Sequence, residues 1–142
     1  MNTAISHKPR QQTRLGRSIG AILAGAAVAI ALTLASDLGM QFARLFPASG
    51  PPSGRMLLVA TAYRTLYGVI AGYVVARLAP YQPMHHALIG GAVGLLVCAF
   101  GAAATWNSGL GPHWYPLALI ALSIPQAWAG GRVRLAQQGR GE

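Results

Sequence analysis

The feature that most limits what this chain can become is a series of long apolar blocks cut by short turns rich in proline and glycine. Ile19 to Ala35 contains no charged residue. Thr61 to Pro80 (TAYRTLYGVIAGYVVARLAP) is apolar apart from Arg64 and a terminal Arg77. A bilayer core requires about 20 apolar residues in helical form, and each block approaches that length. PASGPPSG at 47–54 cannot continue a helix, and the turns at 81–83 and 107–112 are equally unfavourable to one. The pattern predicts an all-α, four-helix transmembrane bundle in up-down-up-down order. Its spans lie near 19–46, 56–78, 84–106 and 113–130, within one membrane domain at 18–131. Pro83 suits the first position of a helix. Pro116 and Pro125 in the last span are tolerable in a membrane when neighbouring groups satisfy the freed carbonyls. A cleaved signal peptide competes for the first block, but that block exceeds the about 7–15 residues of a usual signal core.

Charge sharpens this reading. Charged residues are 9% of the chain, against about 25% in ordinary soluble domains, so a water-facing shell is hard to build. Eleven Lys and Arg stand against Asp37 and Glu142, for a net charge of +9. The basic residues sit at block ends and in two tails, 1–17 and 132–142, instead of on one soluble face. That distribution argues against nucleic acid and for contact of the tails with anionic lipid. Lys8, Arg10, Arg14, Arg17, Arg77, Arg132, Arg134 and Arg140 fall on one side of the predicted spans, Arg44 and Arg55 on the other. The positive-inside rule therefore predicts two cytoplasmic termini. Phe42, Phe46, Trp106, Trp114 and Tyr115 gather at the opposite ends, as an interfacial aromatic belt would.

Helical spacing sorts the interior residues into faces. Arg64 shares a face with Gly68, the first glycine of a Gly68–Gly72 pair four residues apart. Gly90 and Gly94 begin a second small-residue face on the third helix. Small residues let membrane helices approach closely, so these faces are expected to pack on each other or on a neighbouring subunit. On the first helix Thr33, Asp37, Gln41 and Arg44 make a polar stripe. An unpaired charge in lipid costs at least a few kcal/mol. Asp37 and Arg64 lie at similar distances from the first turn, hence at similar depth in an antiparallel pair of helices. The expectation is an intramembrane ion pair, Asp37 with Arg64, supported by Tyr63, Tyr67 or Gln41.

Other chemistry is thin. His85 and His86 are adjacent and point to different sides of a helix, so they suit the cytoplasmic interface better than a metal. His113, in GPHWYP, reads as an interfacial anchor. Three or four converging ligands are wanting for a metal, and no cofactor motif or nucleophile–base set is present. Cys98, the single cysteine, excludes an intrachain disulfide and reads as a small apolar side chain.

The stretches TAYRTLYGVIAGYVVARLAP, PMHHAL and GPHWYPLAL resemble a pattern found in small uncharacterised bacterial integral membrane proteins of four predicted helices. In that group a Gly-Tyr pair precedes an Ala-Arg-x-Ala-Pro helix end, and the next helix opens with histidine and small residues. The resemblance implies a bacterial inner membrane and no particular activity. Small multidrug exporters also have four helices, but they carry a glutamate within the first. Here the acid is Asp37, late in that helix, and their function is not carried over.

Taken together, the residues predict a non-enzymatic membrane protein acting as a structural or interaction module or accessory subunit. It would be a homo-oligomer or the partner of another membrane protein. The alternative is a small proton- or solute-coupled transporter or channel-like protein using Asp37.

Overall fold

A computed structural model describes residues 8–45, 50–109 and 111–140, with side chains from residue 14 onward. Among these residues there are four α-helices and no strand. They are α1 (Lys8–Phe42), α2 (Gly54–Leu78), α3 (Pro83–Thr105) and α4 (Trp114–Gln138). The expectations for residues 1–7, for Phe46 and the start of the 47–54 turn, and for Glu142 fall outside the described residues.

Local chemistry accounts for most helix ends. Ser53 caps α2 by accepting from the Met56 amide at 3.4 Å, as serine does at a helix start. Pro83 stands in the first turn of α3. α1 ends earlier than residue 46, in a left-handed turn. Arg44 has φ 55°, Leu45 N–H donates to Met40 O at 2.9 Å, and Arg44 N–H donates to Gln41 O at 3.0 Å. This is the paired hydrogen bonding of a Schellman ending, with arginine where glycine is usual. α1 begins at Lys8 and α4 runs on to Gln138, so both helices extend into stretches expected to be tails. Arg, Gln, Leu and Ala in those stretches are good helix formers. At the far end of α4, Gln137 is tied back to α2 because Tyr73 donates to its Oε1 at 2.9 Å.

Three helical stretches, Arg14–Phe42, Gly54–Leu78 and Pro83–Thr105, are long and apolar enough to cross a membrane. Burial is inverted relative to a water-soluble bundle. The buried apolar residues are mostly alanines, such as Ala21, Ala60, Ala76, Ala87, Ala102 and Ala127, while Leu15, Leu23, Leu34, Val97 and Phe100 face outward. An apolar exterior of this extent marks a surface that meets lipid or protein, not water. α4 is not among the three spanning stretches. It carries Ser123, Gln126, Arg132 and Arg134, and it lies along both α2 and α3. α1 lies chiefly on α2 and touches α3 less extensively.

Close approach is set by small residues on α4 that sequence reading did not single out. A Cβ on Gly130 would collide with the Val69 carbonyl and stand 2.5 Å from Tyr73 N. One on Gly72 would stand 2.8 Å from Ala127 O, and one on Gly91 would stand 2.6 Å from Ala127 Cβ. The expected partnership therefore changes. Gly68 and Gly72 face α4, at Gln126 and Ala127, and not the glycines of α3. Gly90 does face α2, where its Cβ would be 3.5 Å from Val75, an ordinary contact. Gly94 has nothing within 4 Å of its Cβ position, so it makes no close packing within this chain. The reason is geometric: α4 brings Ser123, Ala127, Gly130 and Gly131 along one face and fills the space between α2 and α3.

This packing predicts a contrast. Gly130→Ala should lower stability in detergent by about 1–3 kcal/mol, the usual penalty of overpacking, because backbone has to move. Gly94→Ala should be neutral or stabilise by about 0.5–1 kcal/mol through helix propensity. Thermal unfolding followed by circular dichroism measures both; equal effects would remove the assigned seam.

Candidate functional site

Arg64 is placed one helical turn beyond Ala60 on α2, where the bundle loosens toward the end carrying the α1–α2 and α3–α4 connections. Its Nη2 donates to Asp37 Oδ2 on α1 at 2.7 Å. The two side chains are 27% and 32% exposed. Tyr63, the neighbour of Arg64 on α2, donates its hydroxyl to the other carboxylate oxygen, Asp37 Oδ1. Arg64 Nη1 donates to the hydroxyl oxygen of Tyr115 on α4. One guanidinium therefore links α1, α2 and α4. Charge-assisted hydrogen bonds of this kind are about twice as strong as neutral ones. A carboxylate engaged at both oxygens is held in one orientation.

The proposed supporting residues divide. Tyr63 joins the pair. Tyr67 does not; its hydroxyl is 2.6 Å from Ser36 Oγ, which makes a second α1–α2 link beside the first. Gln41 lies one turn beyond Asp37 and lines the adjoining cavity, but it bonds neither charged residue. Tyr115 was assigned from sequence only to an aromatic belt. Counting depth from the helix starts does not pair it with Arg64, because Tyr115 stands in the first turn of α4 and Arg64 well inside α2; the reach of the two long side chains brings them together.

The cluster forms part of the wall of a cavity of about 480 Å³. All four helices contribute: Asp37 and Gln41, Leu57 and Arg64, Cys98 and Ala102, Tyr115 and Leu119. Near the connections Trp106 and His113 complete it. Their rings stack with centroids 4.3 Å apart, and His113 Nε2 is 3.0 Å from Trp106 O. A carbonyl only accepts, so Nε2 carries the proton there. Toward the chain termini the bundle closes. A Cβ on Gly25 would collide with Val75, and Ala21, Val75 and Ala76 are buried.

His86, in the first turn of α3, is buried within the bundle. It is 3% exposed, with Nε2 2.9 Å from Ser18 Oγ on α1 and Nδ1 3.3 Å from Gln82 O. It ties the start of α1 to the start of α3, whereas His85 stays exposed. Among the described residues no three His, Cys, Asp or Glu side chains converge as metal ligands would.

No family model, curated protein or solved structure gives a significant match to this chain. The resemblance drawn from TAYRTLYGVIAGYVVARLAP, PMHHAL and GPHWYPLAL thus rests on those residues alone.

The geometry predicts coupling between Asp37 and Arg64. Asp37→Asn and Arg64→Gln should each destabilise, because each strands its partner in a poorly solvated site. The double variant should lose less than the sum, by about 0.5–3 kcal/mol in a double-mutant cycle. Denaturant titration in micelles checks it, and strict additivity would mean that the contact carries no energy.

Proposed function

We propose that this chain is an integral membrane protein of the bacterial inner membrane whose charged cluster is a fixed clasp. In this reading it works as an interaction module or accessory subunit with a binding cavity, and it is not an enzyme. The observation that carries the reading is the state of Asp37. Both of its oxygens are engaged, by Arg64 and by Tyr63. An acid that relays protons has to release and regain them during a cycle. Asp37 would have to give up its partners at each step.

The membrane arrangement belongs to the same proposal. α4 is the fourth crossing, with Gln126 set against Gly68 of α2 and Ser123 buried beside Gly91 of α3, and its length of 25 residues is sufficient for a bilayer. Both termini are cytoplasmic, and the basic ends of α1 and α4 meet anionic lipid. The outward apolar faces of α1 and α3 are where lipid, a second copy or another membrane protein would lie. Reporter fusions at Asn107 and Glu142 should report opposite compartments. The same compartment for both would mean that α4 does not cross.

One observation favours a second reading, a solute carrier. The cavity opens toward one end and is closed by tight packing at the other, as half of an alternating-access path would be. Flux in liposomes separates the two. Asp37→Asn should leave proton and solute flux unchanged if the pair is a clasp. A flux that wild type supports and this variant abolishes would establish the carrier.

A further inference from the structure

The hydrogen-bond inventory of the cavity wall is unbalanced. Tyr115 accepts from Arg64, and its own hydroxyl hydrogen has no acceptor among the described residues. A guanidinium has five N–H donors. In Arg64 one bond goes to Asp37 and one to Tyr115, while Nε is buried without a partner. The wall therefore offers more donors than it satisfies internally. It is also electrically compensated, because Asp37 stands 2.7 Å from Arg64. Beside this polar edge the lining carries apolar side chains: Leu57 and Leu119 on the same helices as Arg64 and Tyr115, and Cys98 and Ala102 on α3.

From this we infer that the cavity is a binding site for an uncharged, largely apolar molecule carrying one carbonyl oxygen. The inference rests on the reading of the chain as a membrane module with a binding cavity. The oxygen accepts from Tyr115 and from a remaining Nη N–H of Arg64, Nε being closed off from the cavity, and the apolar body lies along Leu57, Ala102 and Leu119. An anion gains little, because Asp37 already neutralises Arg64 and an anion still has to leave water. A cation finds no free carboxylate oxygen, because Tyr63 and Arg64 engage both oxygens of Asp37. A volume of about 480 Å³ falls within the about 300–1,000 Å³ typical of small-molecule sites. The same chemistry is presented by the ester carbonyl of a membrane lipid and by a free apolar ketone or ester.

Cys98 supplies the readout, being the only cysteine and part of the lining. The full chain is placed in vesicles of ester-linked or of ether-linked phosphatidylcholine, and the rate of Cys98 alkylation by N-ethylmaleimide is measured. Benzophenone and diphenylmethane share a shape and differ by the carbonyl oxygen; diphenylacetate adds the anion. At equal membrane concentration, benzophenone should slow alkylation about fivefold more than diphenylmethane, as one hydrogen bond would. Diphenylacetate should protect no better than diphenylmethane. Tyr115→Phe should lose the preference for the ketone, read as the ratio of benzophenone to diphenylmethane protection within the variant so that a change in basal alkylation cancels. Slower basal alkylation in ester than in ether vesicles, with ketone protection only in the latter, identifies a lipid ester as the occupant. Equal ketone protection in both identifies a free molecule. Protection by diphenylmethane equal to that by benzophenone, or a ketone preference that survives Tyr115→Phe, overturns the inference and leaves the cavity reading standing. If Cys98 reacts only after denaturation, the cavity is closed and both fall.

Discussion

A guanidinium inside an apolar helix has to be compensated, and that single requirement organises half of this molecule. Arg64 reaches it by drawing a carboxylate from α1 and a phenol from α4 toward α2. The attraction between two charges grows as water is excluded, and so does the cost of leaving either one alone. The pair is therefore most valuable as a device of register. If α1 slid by one turn relative to α2, Asp37 would move about 5.4 Å away and both charges would be uncompensated. The Ser36–Tyr67 contact beside it reinforces the same alignment without adding charge.

The other half of the molecule is held by a different force. In lipid no hydrophobic effect drives helices together, and association depends on packing and hydrogen bonds. Here the close contacts at Gly72, Gly91, Gly130 and Ala127 all involve α4, and Gly25 of α1 makes another against Ala71 and Val75 of α2. Three hydroxyls are satisfied within their own helix: Thr61 donates to Leu57 O, Thr65 to Thr61 O and Ser123 to Leu119 O. The two forces act at different ends. Small-residue packing closes the bundle toward the termini, and the bulkier polar cluster holds it apart toward the connections. The cavity is the consequence of that difference.

Much of this was legible in the residue pattern, and the misses have identifiable causes. Helix number followed from apolar block length and from Pro and Gly punctuation. Equal counts from the first turn give Asp37 and Arg64 similar depth, and the structure has them 2.7 Å apart. The partner of the Gly68–Gly72 face was not legible, because α2 and α3 both carry small residues and spacing alone does not say which helix lies opposite. Ser123, Ala127 and Gly130 are spaced at four and seven residues and could have shown that α4 offers its own seam, but two prolines and several polar residues drew the reading elsewhere. Tyr67, Gln41 and Gly94 were placed on the right faces, yet a face spans a broad arc, and contact depends on where each side chain ends. The cavity had no sequence signal, since an unfilled space depends on how four helices diverge.

The most direct measurement of the central claim is a solid-state NMR distance between Asp37 and Arg64 in lipid bilayers. Asp37 is the only aspartate, so carboxyl-¹³C aspartate gives a single side-chain signal, and guanidino-¹⁵N arginine supplies the partner. The account predicts strong dipolar dephasing of that carboxyl signal, abolished by Arg64→Lys. A carboxyl signal that does not dephase in the wild-type protein would mean that the clasp does not exist in the membrane.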